Sequence, residues 1–344
     1  MKTQTSSRAA FEEVTRALRE IEEYNTSKKV EHLERADTAL ALARQEDEDY
    51  LDAVFYSGMV SDLIGRPKDA VPYFERIVRE VEKRDVQTEA RFNLGVSYYH
   101  RYSHQFLAQA ETHFLKVLRE TNDSTLRNLT RAHLAQTYAM WMIPNESQKQ
   151  TLNAGETATV YTHINKMFDE NQKCISSVQE AIPQRLNRVW TKIVATVDNA
   201  SGMAHMYLSD YPAQREVGKP DLLQKALGSL NAAEKKLPED WANTSDLGSV
   251  RLRLGVLMRE EGKDASSEFH RAKEYLEKVV MVLRPNYGFA FYELGRLHRI
   301  WERWPEAIEY FNRALAVPEK YRDVRDGLVK AEKARAESRD SRYP

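Results

Sequence analysis

Cysteine is almost missing from this chain of 344 residues, where Cys174 stands alone. No intramolecular disulfide can form, and nothing points to an oxidising compartment. Glycine and proline are scarce, at 13 and 11 residues. That suits a helical protein whose charged residues, 30% of the total, solvate many helix faces. No surplus of either charge exists, with 51 basic residues against 52 acidic. This argues against a protein whose main task is to coat nucleic acid, which needs an excess of Lys and Arg. No apolar run approaches the roughly 18 residues of a membrane span. Met1–Ala10 is polar rather than signal-like. A cytoplasmic protein with neither membrane nor nucleic acid as partner is expected. A Gly-rich phosphate loop of the G-x4-G-K-[ST] type is also missing, and so is a strand to seat one.

What is there is a repeat. Its clearest copy lies between Gly288 and Glu319, where Phe291, Leu294 and Gly295 are followed by Ala307, Phe311, Ala314 and Pro318. Small residues and an aromatic stand where two antiparallel helices must touch. The second-helix signal recurs as Ala36/Leu40/Ala43, Ala70/Phe74/Ile77, Ala110/Phe114/Val117, Ala226/Leu230/Ala233, Ala272/Leu276/Val279 and Ala307/Phe311/Ala314. One such triple is simply a face of any helix. Six are informative because most follow a small residue in the preceding helix: Gly58, Gly95, Gly202, Gly255 and Gly295. Leu134–Ala135 with Tyr138 marks another first helix, for which Ser124 is the expected N-cap.

This spacing resembles the tetratricopeptide (TPR) repeat. The resemblance spans about six or seven repeats and weakens over Asn145–Val194. It implies an all-α fold, a right-handed α-solenoid of antiparallel helix pairs closed by a C-terminal capping helix. The expected organisation is N-terminal repeats over 1–144 and a diverged helical middle over 145–220, with an exposed loop at 211–220. C-terminal repeats and a capping helix come next over 221–338, then a disordered tail at 339–344. In the last full pairs, first helices are expected over Asp246–Glu260 and Tyr287–Arg303.

The resemblance also implies which residues face the concave groove. In the N-terminal part they include Phe55, Met59, Asp62, Phe92, Val96, Tyr99, His100 and Gln136, a set read as apolar and aromatic. In the C-terminal part they include Leu252, Val256, Arg259, Phe289, Tyr292, Arg296 and Arg299, with Arg303 nearby. Aromatics beside Arg are common in binding hot spots, and clustered guanidinium groups favour an acidic segment. The competing reading pairs these Arg residues with Glu293, Glu302 and Glu306. One TPR subclass grips chaperone tails with a Lys/Asn/Asn/Lys/Arg clamp. Here Phe55, Met59, Leu129 and His133 replace four of its five positions and only Asn93 matches. The candidate partner-binding residues are therefore Phe55, Met59, Phe92, Tyr99, Arg259, Tyr292, Arg296 and Arg299.

Candidate chemistry is thin. His100 and His104, with His113, lack the further ligands a metal site needs. Cys174 has only His163, eleven residues away, as a base. His205, Asp210, Ser201 and Ser209 have no catalytic spacing. Glu46–Asp49 lacks the pattern of a calcium loop. Tyr138–Met142 reads as core before it reads as a patch. The expected function is a non-enzymatic scaffold or adaptor that needs no cofactor and binds a protein or peptide in its groove. The groove leaves room for a homodimer. The alternative is a regulatory sensor whose solenoid changes shape around a signalling peptide or small ligand.

Overall fold

The computed structural model describes residues 5–27, 29–101, 104–140, 166, 169–170, 173, 187–209, 219–317 and 324–340. Within them there are helices and no strand. In chain order these are α1 (Arg8–Ser27), α2 (Val30–Glu46), α3 (Leu51–Leu63), α4 (Pro67–Glu80), α5 (Arg84–Tyr99), α6 (His104–Glu120) and α7 (Ser124–Met140). After the middle come α8 (Asn187–Leu208), α9 (Lys219–Lys236), α10 (Trp241–Glu260), α11 (Ser266–Lys278), α12 (Gly288–Ile300), α13 (Trp304–Ala316) and α14 (Val324–Asp340). A π-helical turn, Val279–Leu283, ends α11. None of the described helices is long and apolar enough to cross a membrane.

Each helix packs mainly on its neighbours in the chain, which makes the array an α-solenoid. The pairs are α1/α2, α3/α4, α5/α6, α8/α9, α10/α11 and α12/α13. All six second-helix triples are core, with no member more than 1% exposed. In the five pairs after α1/α2, the first helix offers only a glycine at the crossing. A Cβ on Gly58 would lie 2.8 Å from the Phe74 ring, one on Gly95 2.7 Å from Phe114, and one on Gly295 2.6 Å from Phe311. Each ring so enclosed stabilises the pair by about 2–3 kcal/mol through burial. Gly327 of α14 closes on Phe311 from the other side, which seats the last helix on the final pair.

The first helices α8 and α10 are long, at 22 and 20 residues. Gly202 faces Leu230 and Gly248 faces Leu276, both 28 residues on, whereas Gly58 and Gly295 precede their rings by 16. This corrects one pairing read from the spacing. Gly255 meets Phe269, and it is Gly248 that meets the expected Leu276. α10 carries these two glycines seven residues apart on one face, and it begins at Trp241 rather than Asp246. Asp240 accounts for the earlier start, since its carboxylate accepts from the Asn243 N–H at 2.8 Å. Similarly, the cap of α7 is Asp123 rather than Ser124, accepting from Thr125 and Leu126 N–H at 2.7 and 3.1 Å.

α8 packs on α7 as well as on α9. Between them, Lys166 lies 3.7 Å from Glu111 of α6, and Glu170 lies 3.8 Å from Arg131 of α7. The loop expected over 211–220 falls mostly outside the described residues. Its end, Lys219–Pro220, forms the first turn of α9, where proline is tolerated. Arg339 and Asp340, expected in a disordered tail, belong to α14. Tyr138 and Met140 are core, while Trp141 and Met142 lie outside the described residues.

Candidate functional site: the inner face and its central cavity

The first helices α3, α5, α7 and α8 converge with the start of α10 around a cavity of about 240 Å³. Met59, Phe92, Tyr99 and Trp241 supply apolar and aromatic wall. Phe92 is held by the Phe114 ring at 5.9 Å and the His133 ring at 5.3 Å. The first contact is tilted and the second edge-to-face, and both stiffen the wall without occupying the space in front of it.

The floor is polar. Gln136 of α7 donates to the Asn199 side-chain carbonyl at 2.7 Å. Asn199 of α8 donates to Asn243 at 3.2 Å and to the Asp246 carboxyl at 2.9 Å, both on α10. Asn243 in turn donates to the Leu230 carbonyl at 3.0 Å. This ladder ties three first helices together with side-chain amides, and each rung satisfies a buried group that would otherwise destabilise by about 1–3 kcal/mol. Burial pushes the Asp246 carboxyl up to about 7, against the hydrogen bond from Asn199 and with the help of Asp240.

On the opposite wall, His100 Nδ1 lies 2.9 and 3.0 Å from the two carboxyl oxygens of Asp62. Burial alone would raise the Asp62 carboxyl. The charge and hydrogen bond of His100, with Arg284 and Ser97, more than reverse this and hold it below the usual range. His133 is pushed down to about 3 by burial, with Lys192 adding in the same direction. Lys192 lines the cavity exposed and has no ion partner among the described residues. Asn93 lines it as well, its amide nitrogen on the Glu89 carbonyl at 3.1 Å.

The sequence-derived residues thus separate. Met59, Phe92 and Tyr99 come together at the cavity. Phe55 does not join them, because its ring packs edge-on to Phe74 at 5.8 Å and to Tyr56 at 5.6 Å. The groove expected to be apolar carries a polar floor, because the first helices α7, α8 and α10 place their amides inward. Leu252, expected on the inner face, is wholly buried against Phe269 and Leu297.

Arg259, Tyr292, Arg296 and Arg299 lie at the far end. Arg296 pairs with Glu293 at 2.9 Å, and Arg253 reaches the same carboxylate at 3.8 Å. Glu293 is only 1% exposed, so the pairing reading holds for Arg296. Arg259 donates to the Ile300 carbonyl at 3.2 Å. Tyr292 is half-buried, 6.1 Å from Phe311. Arg299 makes no side-chain hydrogen bond or ion pair among the described residues. His163, Cys174 and Asp210 lie outside the described residues.

Sequence reasoning missed Asn199, Asp246, Trp241 and Arg284. For two of them a signal existed: Asn199, Asp246 and also Glu293 stand two or three places before the close-packing Gly202, Gly248 and Gly295. A polar residue beside a tight helix crossing is buried by that crossing and needs a partner.

No protein-family model matches the chain, and no curated protein matches it in sequence. Among solved structures it is similar to a tetratricopeptide repeat protein from Parabacteroides merdae, at 10% identity over 95% of this chain and 100% of that one, with a TM-score of 0.45. It is similar to the TPR2AB domain of yeast Sti1 in its pHSP90 complex, at 13% identity over 94% and 98%, with a TM-score of 0.30. The human IFIT1 dimer with m7Gppp-AAAA matches at 13% identity over 91% and 69%, with a TM-score of 0.42. Likeness this distant says nothing of function, and the fold rests on the helix pairing itself. That pairing is a TPR-like α-solenoid.

Proposed function

We propose that this chain is a non-enzymatic scaffold that holds a peptide segment or a partner's extended segment on its inner face, seated in the central cavity. The observation that carries the reading is the amide ladder Gln136–Asn199–Asn243/Asp246 beneath the wall of Met59, Phe92 and Trp241. A satisfied ladder is a rigid floor, and ordering it in advance lowers the entropy lost on binding. An extended peptide has alternating apolar side chains and backbone polar groups. Those match an aromatic wall beside amide and ammonium groups such as Asn93 and Lys192. Two titratable groups of the cavity wall are unsuited to acid–base catalysis. His133, at about 3, stays neutral and is a poor acid or base near neutrality, and Asp62 is committed to His100.

The test is panning of a random peptide library on the purified chain, with counter-selection on a Met59→Arg/Thr196→Arg variant whose cavity is filled. Peptides that bind wild type and lose at least about tenfold in affinity on the variant, roughly 1.4 kcal/mol or more, support the reading. Peptides that bind both proteins equally would place the site elsewhere and overturn it.

A further inference from the structure

Two distant parts of the chain meet at one rim of the cavity, and a buried cation bridges them. Arg284 is 4% exposed. Its Nη2 donates to the Asp62 carbonyl at 3.4 Å, across 222 residues of sequence. Its guanidinium lies 3.9 Å over the Trp241 ring and 5.7 Å from Tyr287. Trp241 also touches Tyr287, at 4.9 Å, and His100, at 5.4 Å.

The local structure is shaped for this contact. Arg284 comes directly after the π-helical turn, and its N–H bonds to the Val279 carbonyl, five residues back, at 2.7 Å. A π turn holds one more residue than an α turn and so re-aims the next side chains; such turns recur at functional positions. On the receiving side, Gly65 adopts φ +89°, and a Cβ there would lie 3.2 Å from Arg284 Nε. Among the described residues, no helix of the first two pairs packs along a helix of the last two. Closure of the array therefore rests on side chains. The Asp62 carboxylate is hydrogen-bonded to His100, so Arg284 holds the closure by one long hydrogen bond, by stacking and by its charge near that carboxylate.

We propose that Arg284 is a latch that closes the solenoid over its central cavity, and that a peptide reaches the cavity when the latch opens. Asp62 and Trp241 are at once cavity wall and latch partners, so occupancy and closure are coupled through the same atoms. The coupling rests on the peptide-binding reading above, whereas the latch itself does not. Only differential affinity for the open and closed states lets a ligand shift them.

The experiment is a spin-label distance measurement across the closure, with labels on Lys68→Cys and Met281→Cys in a Cys174→Ser background. Lys68 is exposed and Met281 is 66% exposed. Unliganded wild type gives one short, narrow distance distribution. Arg284→Ala shifts it to longer and broader distances while the helical circular dichroism is retained. Arg284→Lys keeps the charge, loses the planar stack and the fork, and shifts it the same way. It decides the matter if Arg284→Ala fails to fold. An unchanged distribution in the folded variant overturns the latch. With peptides recovered by panning, Arg284→Ala speeds association by about tenfold if the open state is roughly a tenth of the wild-type population. An unchanged association rate overturns the coupling. If panning yields no cavity-dependent peptide, the binding reading fails while the distance distributions still judge the latch.

Discussion

Around the central cavity the two buried acids are turned inward and held by neighbouring side chains: Asp62 by His100, and Asp246 by the amide of Asn199. At the C-terminal end of the same inner face, Arg259 and Arg299 reach solvent, and Glu293 is buried beneath Arg253 and Arg296. The two regions share one packing device, a glycine of the first helix against a large side chain of the second. Their chemistry differs because that device uses one face of the first helix and leaves another free. A solenoid can therefore change what it offers along its length without changing how it holds together.

The most disruptive test removes the shared device at both ends. Phe114→Ala and Phe311→Ala should each destabilise by about 3–5 kcal/mol, read by urea denaturation. A much smaller loss for Phe311→Ala would break the comparison, because it would mean that the final pair relaxes around the gap. Glu293→Gln should come next, at about 1.5–3 kcal/mol. It leaves Arg253 and Arg296 without their carboxylate, and solvent reaches Arg296 to soften the effect.

The two buried acids should give pH slopes of opposite sign. Asp246 is raised from its ordinary value to about 7, so the folded protein binds the proton more tightly than the unfolded chain. Its contribution is full at pH values below the ordinary carboxylate range. It is lost as pH rises toward about 7 and is flat above. Asp62 is lowered, so its contribution is present above the ordinary range and is lost as pH falls below it. Asp246→Asn should flatten the first slope and leave the second. Thermal unfolding across pH 3–8 reads both, and an unchanged slope in Asp246→Asn would remove the acid from the account.

The smallest effects on stability should be the most selective for binding. Met59→Arg and Arg299→Glu each shift stability by less than about 1 kcal/mol. Met59→Arg should abolish capture of cavity-dependent peptides. Arg299→Glu should spare these and weaken only acidic ligands of the C-terminal groove, with a salt-dependent loss in association rate. Equal responses to both variants would merge the two regions into one site.

Much of the fold was legible in the residues. The spacing of Ala70, Phe74 and Ile77, repeated at Ala110 and Ala307, identifies the buried face of each second helix, because a small residue followed one turn on by a large apolar one fits a close crossing. Met59, Phe92 and Tyr99 were legible as inner-face residues on the same register. Phe55 was not separable from them, because whether a ring on that face turns outward or packs on Phe74 depends on the neighbouring helix. The helices α8 and α10 were harder, since their extra length moves the glycine that makes the crossing.

By itself the sequence determined that the chain is a series of helix pairs, which of their faces are buried, and that no single charge dominates the surface. These are properties of local periodicity and of side-chain size. Tertiary structure alone decided that Asn199 meets both Gln136 and Asp246, that Trp241 walls the cavity, and that Arg284 reaches back to Asp62. Those contacts join residues tens to hundreds of positions apart. They depend on small rotations between successive pairs, which add up along the solenoid and leave no trace in any one repeat.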